Sequence, residues 1–180
     1  MEVIAVSGTP GTGKTTLAKK LAKNLDFYYL DVNKFINTKK LYESYDKKRR
    51  TKIVDVNKLN KSLINKIKSI KKQPLTQKFN KKIQFKNKTI KNKGLIIDSH
   101  ISHYLPRRYV DICIITKCDI KKLNKRLKKK RFSKNKINEN LQAEIFDICY
   151  NEAVQKKHKV IAVDTTKGFN IDKIAKQLGG

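Results

Sequence analysis

Gly8-Thr9-Pro10-Gly11-Thr12-Gly13-Lys14-Thr15-Thr16 fits the spacing G-x-x-x-x-G-K-[ST], and its reading decides the fold. The stretch before it, Val3-Ile4-Ala5-Val6-Ser7, is short and apolar enough for a buried parallel strand. After it, Leu17, Ala18, Leu21, Ala22 and Leu25 recur at helical spacing, in a helix that starts near Lys14. Strand, loop and helix in that order form a phosphate-cradling loop. Its glycines let consecutive backbone N–H groups turn inward around a polyphosphate, and the helix adds its positive N-terminal end. Lys14 then belongs on the β- and γ-phosphates and Thr15 on Mg²⁺.

Working outward, Phe27-Tyr28-Tyr29-Leu30-Asp31 reads as a second strand, with Asp31 at the carboxyl end, where ligand groups gather in doubly wound sheets. From Val32 to Lys58 the pattern is broken, and Phe35, Ile36, Leu41, Tyr42 and Tyr45 suggest short helices in a small excursion from the sheet. Leu59, Leu63, Ile64, Ile67 and Ile70 predict an amphipathic helix from Asn57 to Lys71. Between Lys71 and Lys93 the chain turns to Lys, Asn and Gln, read as a basic insertion: a partly ordered hairpin or a solvated segment.

Gly94-Leu95-Ile96-Ile97-Asp98 is a buried-strand pattern that ends in a carboxylate, as a Walker-B aspartate does. Beside the phosphate loop, Asp98 could hold Mg²⁺ directly or through water. Val110 to Ile115 follows as a core strand and Ile120 to Lys130 as a highly basic helix. The segment from Ser133 to His158 carries an apolar stripe of Ile137, Leu141, Ile145, Ile148 and Ala153. A strand over Lys159 to Val163 and a helix around Ile171, Ile174, Ala175 and Leu178 end the series. Strands alternating with helices imply an α/β sandwich with a parallel sheet and helices on both faces.

A chain of 180 residues suffices for a single domain, 1–180, whose core needs no disulfide or metal. It has no apolar run near the roughly 20 residues of a membrane span, and the phosphate-loop strand begins almost at Met1, where a secretion signal would lie. A cytoplasmic protein is expected. Cys113, Cys118 and Cys149 form no C-x-x-C pair, as suits a reducing compartment. The net charge of +29, from 44 Lys+Arg against 15 Asp+Glu, must attract polyanions. A partner rich in phosphate, such as RNA or a ribosomal particle, is one reading; a compositional bias toward lysine, asparagine and isoleucine, or an adaptation to unusual ionic conditions, is the other, and charge alone does not separate them.

The loop specifies a nucleoside triphosphate without specifying the reaction. Thr116-Lys117-Cys118-Asp119 resembles the T/N-K-x-D guanine-reading motif of small GTPases. Against a GTPase-like switch, Asp98 is followed by Ser99, His100 and Ile101, where a glycine N–H would have to meet the γ-phosphate.

A wider set of residues resembles one family. The phosphate loop, Leu41-Tyr42, Tyr45-Asp46, Val54-Asp55, Ile97-Asp98-Ser99-His100 and Glu139-Asn140-Leu141-Gln142-Ala143-Glu144-Ile145 are similar to the archaeal and eukaryotic adenylate kinase 6 family, also called Fap7 or CINAP. The resemblance covers almost the whole chain except the insertion at 71–93. It implies a P-loop NTPase of the nucleoside-monophosphate-kinase type, a three-layer sandwich on a five-stranded parallel sheet. It also implies an excursion for the monophosphate near 31–54, a lid near 129–139, ATP–AMP phosphotransfer and ATP hydrolysis. The partners implied are ATP, AMP, ribosomal protein uS11 and the small ribosomal subunit, in late maturation of its 16S rRNA.

By position the resemblance assigns Gly11, Gly13, Lys14, Thr15 and Thr16 to ATP phosphates and Mg²⁺, and Asp98 with His100 to a D-x-H motif implicated in hydrolysis. The family lid commonly reads R-G-Y, and here the place reads Lys130-Arg131-Phe132. Either Arg131 takes the lid arginine's role from a shifted register or Lys130 does so with a poorer fit, because an ammonium lacks the planar fork. Asn37 and Lys39-Lys40 stand where an arginine is expected to clamp the AMP phosphate. His103 and His158 are expected at the surface, and Asp46 and Asp55 as caps or salt-bridge partners. Two classes of function follow: a nucleotide-balancing kinase, or an ATPase assembly factor with little kinase activity.

Overall fold

Strand β1 (Glu2–Ser7) has Val3, Ile4, Ala5 and Val6 fully buried, so both of its faces must be covered and both of its edges paired. The computed structural model describes residues 1–47, 51–72 and 94–178; the insertion expected at 71–93 lies outside them apart from its first two residues, which end a helix. On one side β1 pairs in parallel with β5 (Gly94–Asp98), and β5 with β2 (Tyr28–Asp31). On the other it pairs with β6 (Ile112–Lys117), and β6 with β7 (Val160–Asp164). The result is a five-stranded parallel sheet in the order β2-β5-β1-β6-β7.

Alternate residues of the strands feed two cores. Val3, Ala5, Leu95, Ile97, Cys113 and Ile115 meet Leu59, Leu63 and Ile67 of α3 (Val56–Lys72) and Val32 and Ile36 of α2 (Val32–Lys39). On the opposite face Ile4, Val6, Ile96, Ile112 and Ile114 meet Leu17 and Leu21 of α1 (Lys14–Leu25) and Ile174 and Leu178 of α7 (Ile171–Leu178). Leu59, Leu63 and Ile67 recur every four residues, so α3 presents one continuous apolar stripe, each side chain worth about 1.5–3 kcal/mol on burial. A third cluster, Leu123, Leu127 and Ile137, joins α4 (Ile120–Lys129) to α5 (Lys134–Ile145) beside the sheet's carboxyl edge.

Three expectations are corrected. Among the described residues of 41–53 there is no further helix: Ser44–Asp46 (β3) and Thr51–Ile53 (β4) pair antiparallel, leaving Tyr45 exposed. The strand expected at Val110 runs instead from Ile112 to Lys117, because Asp111 is engaged beside the start of β1, its carboxylate accepting from the Val3 N–H at 2.7 Å and its N–H donating to the Val3 carbonyl at 2.9 Å. The long segment after Ser133 is two helices, α5 and α6 (Ile148–Gln155), broken at Asp147. Asp147 takes a left-handed conformation (φ 53°), which aspartate tolerates, and its carboxylate pairs with Lys117 at the end of β6. That break turns Ile145 and Ile148 of the supposed stripe outward, 57% and 42% exposed.

Candidate functional site

The carboxyl ends of β2, β5, β1 and β6 lie side by side and bring Asp31, Asp98, Ser7 and Lys117 to one edge. The loop after β1 closes there on itself and on its neighbours. Thr12 donates its N–H to the Thr9 carbonyl at 3.2 Å and its hydroxyl to the same oxygen at 2.8 Å, while Thr116 Oγ1 lies 2.6 Å from Thr12 Oγ1. The Thr165 hydroxyl, beyond β7, donates to the Thr12 carbonyl. Gly8 (φ 130°) permits this closure, since a Cβ there would lie 2.6 Å from the Thr116 carbonyl oxygen. Gly13 (φ 93°) sits at the N-cap of α1, and Thr15 and Thr16 in the first turn are exposed beside it. The backbone N–H groups of that turn have no intrahelical partners, which leaves them open to an anion.

Lys14 is buried and donates to the Thr9 carbonyl at 2.9 Å. Burial pushes its pKa down to about 8 against the pull of Asp98, and Lys130 is near enough to lower it further. Asp98, on β5 in register with Val6 of β1, is 4% exposed and accepts from the Tyr29 hydroxyl at 2.7 Å. Burial and this hydrogen bond raise the tyrosine's pKa, so it stays a donor. Among the described residues no group of three His, Cys, Asp or Glu could hold a metal by itself. One carboxylate and one exposed hydroxyl, Asp98 and Thr15, fit Mg²⁺, which keeps waters and takes phosphate oxygens for the rest of its shell.

His100 lies two residues beyond Asp98, in the loop after β5. Lost hydration, then repulsion from Lys14, His103 and Lys136, pushes its pKa down to about 4. The imidazole is therefore neutral near pH 7 and can accept a hydrogen bond. His103 and His158, expected at the surface, are instead 1% and 8% exposed. His103 is held between Ser7 and Glu152, and His158 reaches the His103 carbonyl oxygen through Nε2 at 2.9 Å.

Arg126 of the basic helix escaped the sequence reading because it lies in a run of lysines. Its guanidinium donates to the Thr165 carbonyl at 2.9 Å and to Thr165 Oγ1 at 3.3 Å, and approaches the Gly11 carbonyl at 3.5 Å. It thus ties α4 to the phosphate loop and to the turn after β7. Beyond α4 the segment expected as a lid, 129–139, is a short link, 130–133, between two packed helices. Lys130 and Arg131 are both exposed, and Arg131 adopts φ 54°, the left-handed region that glycine enters freely.

In Thr116-Lys117-Cys118-Asp119, Lys117 pairs with Asp147, and Asp119 caps α4 by accepting from the Lys122 N–H at 3.0 Å. Between the ends of β6 and β7 a cavity of 640 Å³ opens, lined in part by Lys117, Asp119, Asp164 and Thr166. At the other end of the edge, Asp31 caps α2 through the Lys34 N–H, and Asn37 accepts from Lys52 Nζ at 2.5 Å. Lys52 also lies 4.0 Å from the Tyr42 ring centroid.

A family model described as an AAA domain matches residues 4–147. A protein of Methanocaldococcus jannaschii named "Putative adenylate kinase" is 34% identical over 163 residues, covering 91% of this chain and 76% of that one. One of the same name from Methanosarcina acetivorans is 32% identical over 164 residues, covering 91% and 77%. The "Adenylate kinase isoenzyme 6 homolog" of Dictyostelium discoideum is 29% identical over 161 residues, covering 89% and 79%. Among solved structures, a shikimate kinase from Acinetobacter baumannii superposes with a TM-score of 0.59 over 99% of this chain and 91% of that one, at 14% identity, a likeness of fold.

Proposed function

From a chain that belongs to the AAA domain family and has relatives named as adenylate kinases, we propose a nucleotide kinase that passes the γ-phosphoryl group of ATP to AMP, with Mg²⁺, giving two ADP. The observation that carries this reading is the meeting of Lys14, the open first turn of α1 with Thr15, and Asp98 at one end of the sheet. Phosphoryl transfer needs donor and acceptor aligned and positive charge spread over the moving group, with no side-chain nucleophile. Lys14 supplies that charge from below, and Lys130 from the link after α4. Lys130 takes the place of the lid arginine, while Arg131 adopts the backbone of the lid glycine. Thr15 and Asp98 would hold Mg²⁺, which would screen the phosphate oxygens. The cavity between the ends of β6 and β7 suits the donor nucleoside, and the excursion carrying Asn37 and Lys52 suits the acceptor's phosphate.

A second activity, ATP hydrolysis, is favoured by the neutral His100 imidazole close to Lys14, where it can accept a hydrogen bond from a water. To it belong the ribosomal partners implied by the resemblance, uS11 and small-subunit rRNA, with contacts that weaken as salt rises. ADP production from ATP with and without AMP tests both. Strong dependence on AMP supports the kinase; phosphate release indifferent to AMP supports the ATPase; neither, with no Mg²⁺-dependent ATP binding lost in Lys14→Ala, ends the proposal.

A further inference from the structure

Behind the loop that follows β5 lies a set of side chains that phosphotransfer leaves without a task. Ser7 ends β1, His103 sits in a 3-10 turn at 102–104 and Glu152 lies on α6; Ser7 and His103 are 0% and 1% exposed. Ser7 Oγ is 2.6 Å from His103 Nδ1 and 3.0 Å from the His100 carbonyl oxygen. His103 Nε2 is 2.9 Å from Glu152 Oε2, and the Tyr104 hydroxyl donates to Glu152 Oε1 at 2.7 Å.

Ser7 has a single proton for two acceptors. When it donates to the His100 carbonyl, the proton in the short contact with His103 must come from Nδ1. Because Nε2 faces a carboxylate, the ring then carries protons on both nitrogens. When the ring is neutral and its one proton lies on Nε2 toward Glu152, Ser7 donates to Nδ1 and the His100 carbonyl loses this donor. One proton taken up by His103 therefore redirects one hydroxyl.

We propose that His103 is a positioning residue for the His100 loop: in its charged form it turns the Ser7 hydroxyl onto the His100 carbonyl and braces the loop, and in its neutral form it withdraws that brace. The effect on activity rests on the hydrolytic role of His100; the brace itself does not. The groups facing His103 set where the exchange falls. Glu152 stands at Nε2 with Tyr104 donating to it, Lys156 lies just past the end of α6, His158 precedes β7, and His100 lies on the same loop. Burial, His158 and Lys156 favour the neutral ring over the pull of Glu152, placing the exchange below the ordinary histidine range.

Nuclear magnetic resonance of the full chain from pH 4 to 8 tests this, following the His103 ring nitrogens and the carbonyl carbon of residue 100. The measurement is made in His100→Asn, where side chain 100 cannot titrate. The two signals are expected to share one midpoint, and Ser7→Ala, added to that variant, is expected to leave the ring titrating while the carbonyl becomes indifferent to pH. A carbonyl response that persists with Ser7→Ala, or a ring that titrates with a silent carbonyl, overturns the proposal. In the protein with His100 intact, AMP-independent phosphate release should fall two- to tenfold as pH rises through the same midpoint, the net worth of one hydrogen bond. That step should vanish in His103→Gln. Release without the step, where the carbonyl coupling is present, overturns the positioning role; no release in any protein removes the hydrolytic reading and leaves the carbonyl measurement to decide the brace.

Discussion

Lys14 donates its ammonium to the carbonyl oxygen of Thr9, five residues back in its own loop, at 2.9 Å. The folded chain thereby buries a cation that water would hold more readily, and the lysine's pKa falls to about 8. The cost is full below about pH 8 and disappears as pH rises toward 10.5, where the unfolded chain also loses its proton. The drop corresponds to about 3 kcal/mol before the hydrogen bond is counted. Lys14→Met should therefore abolish ATP binding while raising nucleotide-free stability by about 1–3 kcal/mol at pH 7, read by urea unfolding. Calorimetric ATP affinity in the unaltered protein should also weaken above pH 8, by up to about tenfold per pH unit.

Tyr29 and Asp98 form the second support of the site. Tyr29→Phe removes the donor to a buried carboxylate, which should cost about 1–2 kcal/mol of stability. Asp98 would then be less firmly oriented, and half-maximal turnover should require several-fold more Mg²⁺. An unchanged Mg²⁺ dependence alongside lost stability would show that the tyrosine serves the fold alone.

For the link after α4, Arg131→Gly should stabilise the protein by about 1 kcal/mol by relieving a left-handed residue. It should leave phosphotransfer within about twofold. Lys130→Ala should lower phosphotransfer at least about tenfold, and Lys130→Arg should restore it, since a planar fork suits a phosphoryl group better. Steady-state rates of the three variants check the register; a larger loss in Arg131→Gly than in Lys130→Ala would reverse the assignment.

Acid should loosen this fold early. His100, His103 and His158 all hold pKa values below the ordinary histidine value, His100 at about 4. A depressed folded-state pKa contributes stability that is present above the unfolded value near 6.5 and lost as pH falls through the folded one. The melting temperature should therefore decline from about pH 6.5 downward, and His158→Asn should make that decline shallower. Asp55 and Asp164, also held below their usual value, add to the loss at lower pH.

The phosphate loop and Asp98 were legible because their signals are local: a fixed spacing, and an apolar run that stops at a carboxylate. The parallel sheet followed from the alternation of strands and helices. His103 was not legible, since its partners Ser7 and Glu152 lie 96 and 49 residues away and a lone histidine has no periodicity. Arg126 was hidden for a related reason. Its neighbours in sequence are equally basic, and its contacts with Gly11, 115 residues back, and Thr165, 39 residues on, distinguish it. The hairpin at 44–53 was misread because two three-residue strands are too short for alternation to outweigh scattered apolar residues.

Gly8 packs on Thr116, and the Thr12 carbonyl is held by Thr165, so one part of the message is finished by parts the ribosome reads more than 100 residues later. A nascent chain arrested before residue 165 has emerged carries every letter of the nucleotide motif but not the scaffold that shapes it. Translation, at roughly 5–20 residues per second, then leaves a loop-bearing segment waiting several seconds or more before it can grip a ligand.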